Sequence, residues 1–165
     1  MTHKKDGINI FVNCGNGRVE QNSAFRAVNV DWQDYDNADE FVKVLFTEVQ
    51  FDNGDIYNAN TSTFVPVESG VYFVAGTVTF FPRNDAIPFR ARLEVRVNGE
   101  SVAADNDYFF SGVVPSMVFA NIINTSTILE LQAGDLVEIF FTSTSRGIIN
   151  DDGEGSSTRF EAVRM

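Results

Sequence analysis

Val44-Leu45-Phe46-Thr47-Glu48-Val49-Gln50-Phe51, then the turn Asp52-Asn53-Gly54-Asp55, then Ile56-Tyr57-Asn58, Ser62-Thr63-Phe64-Val65-Pro66 and Gly70-Val71-Tyr72-Phe73 make up most of segment 42–73, which reveals the chain's architecture. Its apolar residues fall in short runs rich in Val, Phe and Tyr. Each run stops at a turn residue, the pattern of antiparallel strands rather than helices. Asn-Gly tolerates the positive φ of a tight hairpin, so Asn53-Gly54 reads as one hairpin turn and Val97-Asn98-Gly99-Glu100 as another.

The same grammar extends along the chain. From Arg90 to Val97, Ala91, Leu93, Val95 and Val97 share one face while Arg90, Arg92, Glu94 and Arg96 share the other. Such alternation puts the apolar row in a core and the charged row in solvent. Val137, Ile139 and Phe141 alternate with Leu136, Glu138 and Phe140, whose outward row is itself partly apolar. Gly70 to Phe81 carries bulk on both faces, with Tyr72, Val74, Val78 and Phe80 on one and Phe73, Ala75 and Phe81 on the other. A lone sandwich needs one buried face per sheet, so these second apolar faces predict contact between subunits. The acidic segments 31–40 and 147–158 read as solvated loops. Residues 1–23 form an N-terminal extension or attachment segment whose only strand signal is Ile8-Asn9-Ile10-Phe11-Val12. Residues 24–165 form the sandwich domain.

Composition narrows the function. A chain of 165 residues with 44% hydrophobic residues and 16 Phe holds one domain with a substantial aromatic core. Twelve basic against 23 acidic residues give a net charge of −11, which disfavours nucleic acid and anionic membrane surfaces as partners. Cys14 stands alone, so no internal disulfide or thiolate cage forms. No apolar run approaches the 18 or so residues of a membrane span. The N-terminus shows no secretory core, because Ile8 to Val12 is short and contains Asn9. His3 is the one histidine. It falls in the N-terminal tail, and no Ser-His-Asp or Cys-His arrangement can be built without moving that tail into a pocket, so the chain reads as a non-enzyme. Arg90, Arg92 and Arg96 admit two readings: a fork for a ligand anion, or an exposed row balanced by Glu94 and neighbouring acids.

Taken in order, Ala24-Phe25-Arg26-Ala27, Val44 to Phe51 with Asn53-Gly54 and Tyr57-Asn58, Phe64-Val65-Pro66, Gly70-Val71-Tyr72-Phe73, Leu93 to Gly99, Leu129-Glu130-Leu131 with Gly134-Asp135-Leu136-Val137, and Phe160 resemble the globular-head family of complement C1q, a branch of the tumour-necrosis-factor-like jelly rolls. The resemblance covers residues 24–165. It implies a jelly-roll sandwich of about ten antiparallel strands that closes as a homotrimer, with Tyr72, Phe73, Phe140 and Phe160 helping to close it. Val74 stands where the family often has a second aromatic, and Ala162 stands where the closing strand usually has Gly. The family's collagen-like stalk is absent, so the immune role of the animal proteins is not carried over.

Calcium is the cofactor the acidic residues suit best, because Ca²⁺ takes six to eight oxygen ligands. Family members sometimes hold it near the trimer apex, and Asp105 and Asp107 lie in the corresponding region, with Asp151 and Asp152, next to Glu154, as a second cluster. The resulting expectation is a homotrimeric, C1q-like binding or adhesion module of microbial or viral type. Its loops recognise a surface protein or glycan, and it works outside the cell or on a particle. The alternative is a structural component of a virion or spore surface, docked through residues 1–23.

Overall fold

The computed structural model describes residues 23–84, 86–109, 120–150 and 157–165. Thirteen strands run through them: β1 Ala24–Val28, β2 Gln33–Tyr35, β3 Val42–Lys43, β4 Glu48–Asn53, β5 Tyr57–Asn58, β6 Thr63–Phe64, β7 Gly70–Pro82, β8 Phe89–Val97, β9 Glu100–Phe109, β10 Asn121–Leu131, β11 Val137–Ser143, β12 Gly147–Asn150 and β13 Arg159–Arg164. They form two antiparallel sheets packed face to face. In the seven-stranded sheet, β7 pairs with β10 along one edge and with β12 and β13 in tandem along the other; β2 extends β12, and β1 then β4 extend β13. The six-stranded sheet runs β5-β6-β11-β8-β9, with β3 also on β11. Among the described residues no helix is long and apolar enough to cross a membrane.

Alternation explains the core. Tyr72, Val74, Val78 and Phe80 of β7 face Leu93, Val95, Ile139 and Phe141 of the opposite sheet, all fully buried. The sheets approach so closely at Gly76 that a Cβ there would sit 2.8 Å from Ile139 Cδ1, so any larger residue would force the Ile139 side chain to shift. Two aromatic groups fill the ends. Phe160 lies edge-on to Phe25 at 5.0 Å and packs with Phe46 and Tyr57. Tyr35, Phe80, Phe89 and Phe141 fill the other.

Several expectations change here. Tyr72 and Phe160 do not help close a trimer through their rings: both have 0% exposure within one subunit. Tyr72 points inward beside Phe64, its hydroxyl donating to the Glu68 carbonyl at 2.8 Å. Segment 31–40 is not merely a solvated loop. It contains β2, and Tyr35 is wholly buried because its hydroxyl donates to the Ser143 carbonyl at 3.0 Å and accepts from the Ser143 amide. Segment 147–158 likewise begins with a strand, β12. Val44 to Phe51 is not one strand: after β3 it runs through a connecting stretch, 44–47, into β4, and β3 and β4 lie in different sheets.

The two Asn-Gly turns also differ. Asn98 (φ 52°) and Gly99 (φ 88°) close a tight hairpin between β8 and β9. Gly54 (φ 110°) and Asp55 (φ 54°) instead hand the chain from one sheet to the other. Asp52 fixes that crossing by accepting the Ile56 and Tyr57 amides at 3.0 Å each.

Candidate functional site

The seven-stranded sheet turns one face to the core, and among the described residues nothing covers the other. Strand register aligns a single row across it: Ile128 of β10 opposite Phe73 of β7, Phe73 opposite Val163 of β13, and Val163 opposite Ala24 of β1. Period two carries all four outward, because Tyr72, Ala162 and Phe25 beside them face the core. Ile128 is 60% exposed, Phe73 37% and Val163 37%, with Val71 exposed beside them. The next row is Ser126, Ala75, Glu161, Arg26 and Phe51. Here Glu161 bridges Arg26 and Arg159 at 3.5 Å each, giving the apolar row a polar border. An uncovered apolar stripe with a charged rim is what an association surface presents.

Phe73 stands on this outward face, which the described residues leave open. Phe140 does not share that face. It lies on β11 in the other sheet, half-buried, and Arg96 of the same subunit covers its ring at 4.2 Å. The far side of that guanidinium meets Phe41 at 4.4 Å. The partly apolar outward row of β11 is thus sheltered by cation–π packing within the subunit.

The arginine row resolves in favour of internal balance for two of its three members. Glu94, only 4% exposed, accepts from Arg92 Nε at 2.8 Å and from Arg96 Nε at 2.8 Å. Lys43 and Glu138 pair beside them at 2.5 Å, with Thr63 Oγ1 bound to both. Arg90 stands apart, reaching Asp39 only at 3.8 Å.

Burial alone would raise the Glu94 carboxyl, but the hydrogen bonds and charges of Arg92 and Arg96 outweigh it and hold the pKa below the ordinary 4.5. As pH falls, the unfolded chain takes up this proton first. The stabilisation from Glu94 is therefore complete above about pH 4.5 and declines as pH drops through the lower folded value. Glu94→Gln leaves two guanidiniums without their shared anion and costs about 2 kcal/mol at neutral pH. Urea unfolding should show that gap at pH 7 and a progressively smaller one as the pH falls below 4.5; a gap that does not shrink on acidification would contradict the assignment.

Asp105 and Asp107 lie two residues apart on β9, opposite Leu93 and Ala91 of β8. Each carboxylate accepts the following backbone amide, Asn106 at 2.9 Å and Tyr108 at 3.0 Å. Among the described residues no three acidic, His or Cys side chains gather as a metal group. Asp151 and Asp152 lie outside the described residues, as do Cys14 and His3.

Two neighbouring hollows with shared walls open at the end of the sandwich, beside residues 83, 84, 87, 88 and 144–146. One, of about 370 Å³, is lined by Arg83, Ile87, Pro88, Thr144, Ser145 and Arg146 among others. The other, of about 220 Å³, shares Pro88 and Thr144 and adds Arg90 and Tyr108. The sequence reading missed this feature, because residues from four separate segments build it and no local motif marks it.

No family model and no curated protein sequence matches this chain. Its backbone is similar to solved structures. The crystal structure of murine APRIL at pH 5.0 is 14% identical and covers 87% of this chain and 99% of that one, with a TM-score of 0.62. The structure of the Eiger TNF from S. frugiperda is also 14% identical, covering 88% and 93% at a TM-score of 0.56. The two sheets described above thus have the arrangement of a TNF-like jelly roll.

Proposed function

We propose that this chain is a non-enzymatic binding module that closes as a homotrimer across the outward face of its seven-stranded sheet and displays its loops to a ligand on another surface. The observation that carries this reading is the in-register row of Ile128, Phe73, Val163 and Ala24, which the described residues of a single subunit leave open. Burying a side chain of this size contributes about 1.5–3 kcal/mol when complete. Three copies of such a row supply enough to hold a trimer once the cost of association is met. The TNF-like fold and the C1q-like motifs fit the same reading. Phe73 is the member of the expected aromatic set that stands at this face.

Trimerisation would present three copies of every loop together, raising avidity for a repeated surface ligand. The test is a screen of immobilised surface proteins and glycans with the wild-type chain and a monomeric variant. Retention of wild type and loss of the monomer support the module. Equal retention of both removes the need for a trimer.

Calcium belongs to the same proposal. Asp105 and Asp107 supply two carboxylates on one strand face, and a threefold assembly would multiply them. Calorimetry should then register heat with millimolar Ca²⁺ in wild type but not in Asp105→Asn/Asp107→Asn. No heat in either would remove the cation.

A further inference from the structure

Among the described residues, every lysine and arginine but one is paired with a carboxylate: Arg26 and Arg159 with Glu161, Lys43 with Glu138, Arg83 with Asp36, Arg90 with Asp39, Arg92 and Arg96 with Glu94, and Arg164 with Glu68. The exception is Arg146. In a chain with 23 acids for 12 bases, a guanidinium without an anion is the unexpected state. Arg146 is exposed and lines the 370 Å³ hollow. Arg90 lines the adjoining hollow; its Nε is buried with no hydrogen-bond acceptor among the described residues, and Asp39 approaches its Nη2 only at 3.8 Å. Arg90 and Tyr108 are register partners on the outward face of β8 and β9, and Tyr108 is 62% exposed.

We infer that these neighbouring hollows bind an acidic sugar, its carboxylate held by Arg146 and its ring resting against Tyr108. Guanidinium and carboxylate match as planar two-point partners. An exposed phenol offers an apolar ring face with a polar rim, suited to the C–H face of a sugar. Thr144, Ser145 and Asn84, also at the larger hollow, bring hydroxyl and amide groups for sugar hydroxyls, while Ile87 and Pro88 form its apolar wall. The larger volume lies within the range of small-ligand sites, about 300–1,000 Å³. Binding of this kind rests on the module reading and supplies its ligand class.

The test is calorimetry on the full chain with glucuronic acid and N-acetylneuraminic acid, with galactose as the neutral control and inorganic phosphate as the bare anion. At least one acidic sugar binds, galactose does not, and phosphate binds at least tenfold more weakly. Arg146→Gln weakens the sugar about tenfold, and Tyr108→Ser weakens it about fivefold. The Arg146 backbone carbonyl, which accepts the Arg83 amide at 2.8 Å, is unaffected by the first change. Failure of both acidic sugars to bind wild type overturns the site, as does binding to Arg146→Gln within twofold of wild type or phosphate binding as tightly as the sugars. The mass of the same samples separates this inference from its premise. A trimer that ignores acidic sugars loses the site and keeps the module, whereas a monomer that binds them keeps the site and loses the trimer.

Discussion

Phe73→Asp should release free subunits of 18.3 kDa without unfolding them. The Phe73 side chain points away from the core, so replacing it removes no packing between the two sheets. Its cost falls on association. An aspartate in the middle of the Ile128–Phe73–Val163 row would have to be buried there with no cation opposite it in that row. Burying an unpaired charge costs about 3–5 kcal/mol. With every subunit carrying the change, subunit dissociation should strengthen at least a hundredfold. Phe140→Ser is the matched control. That ring lies on the opposite sheet beneath Arg96, so the mass should not change, although thermal stability should fall slightly. A Phe73→Asp protein of wild-type mass, or a Phe140→Ser protein that dissociates, would place the association surface elsewhere.

Phe160→Ala should have the opposite signature. Its ring has no exposure and meets Phe25, Phe46 and Tyr57, so truncation opens a cavity where three aromatic side chains converge. Such changes cost about 3–5 kcal/mol, a large share of the 5–15 kcal/mol that holds a typical domain together. For a chain of this length the midpoint of thermal unfolding should drop by about 10 °C. The loss should appear as unfolding, at a midpoint that precedes or accompanies dissociation. Were Phe160 an interface residue, truncation would instead give a folded monomer of nearly unchanged intrinsic stability. Comparing melting with mass for the two variants thus separates core from surface.

The same pair of residues shows how far the sequence could be read. Period-two alternation placed Tyr72 and Phe73 on opposite faces, and the structure agrees. Alternation alone does not say which face meets the other sheet and which is left open, so both residues entered the expected interface. Burial decides between them: Tyr72 is enclosed and Phe73 is not. Phe140 misled for a different reason. Its outward position was legible, but the guanidinium that covers it comes from Arg96 on the neighbouring strand, and register is set by tertiary pairing.

Local turn chemistry had the same limit. Asn98-Gly99 and Asn53-Gly54 look alike as dipeptides, yet only the first joins neighbouring strands. The second is captured by Asp52 as the chain crosses between sheets. Tyr35 lay hidden in an acidic segment because its partner, Ser143, is 108 residues away. The hollow at Arg146 was likewise invisible, since what distinguishes that arginine is the pairing of all the other described cations.

If three subunits cover the row formed by Ile128, Phe73, Val163 and Ala24, sedimentation equilibrium of the wild-type chain at micromolar concentration should find a single species of three times 18.3 kDa. A stable species of 18.3 kDa across that range would rule the trimer out.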